Sequence, residues 1–117
     1  MGTNIKASLL RIFLGEKDKL GHKPVYEEIV LKAREMNLAG ATVYKGIMGF
    51  GKSSRIHTSK ILRLSDDLPI IIEIVDEDHL INDFLPILDA IIEKSGSGGL
   101  VTIEKAEVIK YIPEQSK

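Results

Sequence analysis

Pro69-Ile-Ile-Ile-Glu-Ile-Val75 limits the possible folds more than any other stretch. It is β-branched nearly throughout, which marks a strand in the middle of a sheet, covered on both faces. Ile5 to Leu14 reads as a second strand. There Leu10, Ile12 and Leu14 form a fully apolar face, and Leu9, Arg11 and Phe13 form a mixed one. Gly15 ends it, and 16–23 is a polar loop. Between the two strands lies a helix over about 24–38. Pro24 sits at its start, Val25, Ile29, Ala33 and Met36 make one stripe, and Asn37 and Gly40 are stop signals. Ala41 to Gly49 returns to extended chain. A second helix is expected over about 77–94, with Asp76 as its N-cap and Leu80, Ile81, Phe84, Leu88, Ile91 and Ile92 as its apolar face. Pro86 lies inside it. Leu100–Glu104 and Glu107–Ile112 read as two short strands or one bent strand.

The resulting order is β-α-β-β-α-β. It predicts an α+β class, a ferredoxin-like split βαβ sandwich with two helices on one face of an antiparallel sheet. A sheet this apolar on both sides needs cover on its open face. A further copy of the chain can provide it, so an oligomer is expected.

At 117 residues the chain has room for one core, so residues 1–117 are taken as a single domain. A net charge of −1 argues against a general nucleic-acid or membrane-surface binder. With no cysteine there is no disulfide, thiolate metal site or thiol nucleophile, which suits a reducing cytoplasm. Met1–Ser8 has no apolar run of the kind a signal peptide carries, and no stretch reaches membrane-spanning length.

Gly46 to Ser53 matches G-x-x-x-x-G-K-[ST], the phosphate-cradling P-loop. Such a loop needs a preceding strand, a following helix and a larger doubly wound sheet. Here a complete βα unit precedes the string and about 65 residues follow, too few for the remaining units. Residues 51–66 are polar and basic, and a helix there would have little apolar face to bury. A small NTPase built on Gly46–Ser53 is therefore the second reading.

The segment GATVYKGIMGFG, from Gly40 to Gly51, resembles the G-M-T-V-x-x-x-x-G-F-G strand of PII signal-transduction proteins, with one extra residue before Gly49. LPIIIEIVDED resembles that family's third strand and the start of its second helix. EKSGSGGLVTIEKAEVIKYI resembles its glycine-rich phosphate loop and closing strands. LRIFLGEKDKLGHKP and GIMGFG depart from true PII and resemble the PII-like branch known as domain of unknown function family 190.

The resemblance implies a cytoplasmic, non-enzymatic regulator. It implies a homotrimer with an adenine nucleotide in each inter-subunit cleft and no required cofactor or metal. Matched residue by residue, Gly40, Thr42, Glu73 and Val75 would hold adenine and ribose. The N–H groups of Gly96, Gly98 and Gly99, with Lys110, would hold phosphate. The family's lysine after its glycine pair falls on Gly99. Its two closing-strand arginines fall on Lys110 and Ile112. With that cationic clamp reduced, AMP or ADP is expected in preference to ATP. The loop over about 51–66 is expected to be mobile and to meet an unknown protein partner, an enzyme or a membrane transporter. Gly49, Phe50, Gly51, Lys52, Arg55 and His57 would lie at or near that contact.

Each of these residues also has a plainer reading. Glu73 is equally read as a strand glutamate paired to Lys or Arg, and Lys110 as a solvated strand residue. Gly96–Gly99 would also serve a tight turn. His22, His57 and His79 stand on three separate polar segments, so a metal-binding trimer resembling the CutA proteins has little to stand on. The basic loop lacks the interleaved aromatics of a nucleic-acid platform.

Overall fold

The computed structural model describes residues 5–49 and 67–114. Its elements, in chain order, are β1 (Lys6–Gly15), β2 (Lys19–Leu20), β3 (Lys23–Pro24), α1 (Val25–Glu35), β4 (Thr42–Lys45), β5 (Pro69–Glu77), α2 (Asp78–Ser95) and β6 (Leu100–Glu107). The main sheet has the order β4-β5-β1-β6, and every neighbouring pair is antiparallel. This is the α+β split arrangement that the sequence predicts. β2 and β3 form a small separate hairpin within the polar 16–24 stretch, turning at Gly21 with φ 65°.

Alternation along β1 decides which face carries the core. Leu10, Ile12 and Leu14 lie opposite Ile74, Ile72 and Ile70 of β5, and all six are buried. Val25, Ile29 and Ala33 of α1 and Ile81, Phe84, Leu88 and Ile91 of α2 pack onto that face. Removing such a side chain from water stabilises the fold by about 1.5–3 kcal/mol.

The opposite face carries Leu9, Arg11 and Phe13 of β1, Ile71, Glu73 and Val75 of β5, and Thr42 and Tyr44 of β4. Among the described residues no helix covers it, and Val75 is 39% exposed. β5 is thus an inner strand, and among the described residues the helices cover only one of its faces.

Several boundaries differ from the sequence expectation, each for a local reason. α1 ends at Glu35 because Asn37 takes a left-handed φ of 61°. The amide of Asn37 then donates to the Arg34 carbonyl (3.0 Å) and that of Leu38 to the Ala33 carbonyl (3.1 Å). This pair of bonds is a Schellman cap. Pro24 stands one position outside the helix, extended at φ −60° and ψ 138°. Asp76 is not the cap of α2: the capping position is Glu77, with no side-chain bond, and Asp76 belongs to β5. β4 stops at Lys45, four residues short of the expected end. β6 is one strand that stops at Glu107, and 108–114 has no strand pairing among the described residues. α2 runs through Pro86 and ends at Gly96, whose φ of 72° forms its left-handed cap. Among the described residues, no helix is long and apolar enough to cross a membrane.

Candidate functional site

The sheet register brings part of the expected site together. Thr42 lies opposite Glu73, and Glu73 lies opposite Arg11, in one row across the open face. Val75 is two residues on from Glu73, on the same face. Gly40 precedes β4 by two residues, with nothing within 4 Å of where a Cβ would stand. Gly40, Thr42, Glu73 and Val75 therefore share one region of the sheet, at its β4 side.

Glu73 is engaged. Its Oε2 accepts a bond from Nε of Arg11 at 2.8 Å and another from the Tyr44 hydroxyl at 3.0 Å. Arg11 also donates through Nη1 to Glu104 at 2.9 Å. Among the described residues, Glu73 Oε1 takes part in no bond. The Arg11 hydrogen bond, seconded by Tyr44, holds the Glu73 carboxyl below the usual carboxylate range. The same pairing raises the Tyr44 hydroxyl and the Arg11 guanidinium above their ordinary values. Among the described residues, Glu73 is thus an anionic acceptor with one oxygen unbonded. Arg11, Tyr44 and Glu104 were not singled out from the sequence. The alternation of β1 and the two-residue step from Thr42 to Tyr44 would have placed the first two on this face.

The expected phosphate residues lie elsewhere. Gly96 caps α2. Beside it the Ser95 hydroxyl donates to the Ile92 carbonyl (2.6 Å) and accepts from the Ser97 amide (3.1 Å). A Cβ on Gly99 would stand 3.2 Å from Leu14 Cδ2, so this glycine packs against the end of β1. Gly96, Gly98 and Gly99 precede β6 at the sheet edge away from β4, three interstrand spacings or roughly 14 Å across. Lys110 is exposed and follows the other end of β6, a strand roughly 24 Å long from Leu100 to Glu107. One chain does not unite Lys110 with the glycines.

The Gly46–Ser53 string has a packing explanation at its start. β4 is an edge strand of an antiparallel sheet, not the inner parallel strand of a P-loop fold. The Gly46 amide donates to the Pro69 carbonyl at 2.8 Å, and a Cβ on Gly46 would stand 2.6 Å from Pro69 Cγ. A Cβ on Gly49 would come within 3.2 Å of the same atom. Both glycines are accounted for by the approach of β4 to Pro69. Phe50, Gly51, Lys52, Ser53, Arg55 and His57, and with them the expected partner contact, lie outside the described residues.

The ends of that stretch are tied down. Lys45 donates to Glu16 Oε2 at 2.7 Å, and the Lys17 amide to Asp67 Oδ1 at 2.9 Å. The Lys45 bond holds the Glu16 carboxyl low and raises the Lys45 ammonium. His22 and His79 are exposed on separate elements, and His57 lies outside the described residues. Among the described residues, no three His, Cys, Asp or Glu side chains gather as metal ligands would.

This sheet order, with helices on one face and a glycine-capped turn before the closing strand, is the fold of PII-like proteins. CPII of Thiomonas intermedia K12, a nitrogen regulatory PII-like protein solved with ADP, AMP and bicarbonate, superposes with a TM-score of 0.64 at 17% identity. The match covers 92% of this chain and 97% of that one. Within this class the chain belongs to the DUF190 family (Uncharacterized ACR), which it matches over residues 7–108. It is similar to a UPF0166 protein of Aquifex aeolicus, 39% identical over 105 residues (90% of this chain, 95% of that one). It is also similar to one of Methanocaldococcus jannaschii, 41% identical over 106 residues (91% and 94%).

Proposed function

We propose that the chain is a cytoplasmic, non-enzymatic PII-like regulator. In this reading it forms a homotrimer and binds an adenine nucleotide, AMP or ADP rather than ATP, in clefts between copies. The observation that carries it is the division of the site. Gly40, Thr42, Glu73 and Val75 gather at the β4 side of the sheet, while Gly96, Gly98 and Gly99 lie at the β6 edge. A β4 side from one copy set against a β6 edge from the next would complete a pocket that neither holds alone. Glu73 Oε1 would accept a ribose hydroxyl, and Thr42 and Val75 would flank the base. The glycine N–H groups would meet phosphate, since glycine permits close approach. The binding of ADP and AMP by CPII supports the ligand class.

The preference among nucleotides follows from charge. Lys110 is the one cation at the matched positions, with Gly99 and Ile112 in place of the others. A charge-assisted hydrogen bond is worth about 1.5–3 kcal/mol, so two missing partners lower affinity for a γ-phosphate by about two to four decades. The 51–66 loop would carry the contact with a protein partner.

Calorimetry with AMP, ADP, ATP and adenosine tests this reading. AMP or ADP should bind at least as well as ATP without Mg²⁺, and Lys110→Ala should weaken ADP more than adenosine. A strong ATP preference would overturn the nucleotide assignment. No binding of any of the four would leave the fold without the ligand.

A further inference from the structure

Asp76 is 3% exposed and its carboxylate is spent on backbone. Oδ2 accepts the Ala39 amide at 2.8 Å, and Oδ1 accepts the Glu77 amide at 2.8 Å. Ala39 follows the Schellman cap of α1 and immediately precedes Gly40. The bond therefore joins the α1–β4 connection to the end of β5, beside Val75. The acids nearby cannot replace it. Asp78 is taken by the Ser8 hydroxyl at 2.6 Å, and Ser8 lies opposite Asp76 in the β1–β5 register.

A buried carboxylate is costly to desolvate unless hydrogen bonds satisfy it, and bonds to an ionised acceptor are short and strong. Core packing alone does not call for an acid here: the three residues of β5 that line the core are Ile70, Ile72 and Ile74. What the acid accomplishes is to fix where Gly40 stands relative to Val75.

We infer that Asp76 is a positioning residue: by holding the Ala39 amide, it sets the α1–β4 connection against β5 and so shapes the adenine–ribose side of the pocket. This rests on the adenine-nucleotide reading above. Asp76 touches no ligand itself. It acts through the backbone of residues 39–41, so its loss should weaken every ligand that carries the nucleoside, with or without phosphate.

Two measurements test it. In the unaltered protein the Ala39 amide should exchange at least tenfold more slowly than the amides of Gly40 and Ala41, although all three lie between α1 and β4. In Asp76→Asn, which keeps the shape, one oxygen remains to accept and an NH₂ group faces the second amide. The Ala39 amide should then exchange at least tenfold faster, while the amides of Ile72 and Ile74 keep their rates. Affinity for ADP and for adenosine should fall together, by about tenfold, the size of one lost hydrogen bond.

Any of these outcomes overturns the inference: an unprotected Ala39 amide in the unaltered protein, faster exchange throughout the core in the variant, or a faster Ala39 with unchanged affinity. A larger loss for ADP than for adenosine would move Asp76 to the phosphate side and overturn it as well. Failure of the nucleotide reading is recognised separately, because the unaltered protein would then bind neither ADP nor adenosine.

Discussion

Glu73 shows how far one residue can be read from its neighbours in sequence. Both readings of it, ligand acceptor and ion-pair partner, are open in the primary structure. The pairing with Arg11 is settled by register, which joins residues 62 apart. Its titration is a direct check. The folded state holds this carboxyl below its ordinary range, so the pairing stabilises the fold above the unfolded value, near 4.5, and that contribution is lost as pH falls through the folded value. Carbon-detected NMR should find Glu73 titrating below the usual carboxylate range, and Arg11→Leu should move it back up. Tyr44→Phe should produce a smaller rise, because the tyrosine bond is the lesser cause. No movement in Arg11→Leu would mean that the contact is absent in solution. Such exposed pairs add little to stability, so the readout is the titration and not the melting temperature.

Among the elements, α1, α2 and β1 were legible from periodic apolar faces, 3.6 for the helices and two for the strand, and β5 from its continuous β-branched run. The ends of β4 and of the closing strand were not, since they are set by what they meet. β4 closes where Gly46 comes against Pro69, and 108–114 is extended in pattern but finds no strand to pair with among the described residues. The site residues are expected in clefts between copies, and within one chain the sheet sets Gly40, Thr42, Glu73 and Val75 apart from Gly96, Gly98 and Gly99. Linear order does not say which end of a strand a loop occupies. The glycines give a test at this scale. Gly46→Ala forces a Cβ to 2.6 Å from Pro69 Cγ and should cost about 1–3 kcal/mol in denaturant unfolding. Gly40→Ala meets nothing within 4 Å and should leave unfolding unchanged. If it also weakens ADP, the bare backbone at Gly40 serves the ligand. Equal unfolding costs for both would refute the distinction.

Seen whole, the molecule has one face built for its own helices and one left with Leu9, Phe13, Ile71, Val75 and Leu100 around a charged row. Together with the divided site, this open face is the ground for the trimer in the proposed function. Light scattering should return three times the 13.0 kDa chain mass. Ligand binding should be linked to assembly, so dilution to the monomer should abolish ADP binding, and ADP should shift assembly to lower protein concentration. A monomer that binds ADP with undiminished affinity would remove the shared cleft.

The placement of β1 has a consequence for how the chain comes into being. β1 comes before β5 and β6 in the chain, yet it lies between them in the sheet. Its apolar face must wait until α1 and β4 have been made before either neighbour exists. Until then, no partial product can close the core. Pairing across such separations makes folding slow compared with a helical bundle of the same size. A chain halted after α2 would leave β1 with a bare, sticky edge from Lys6 to Phe13, which β6 shields once it is made.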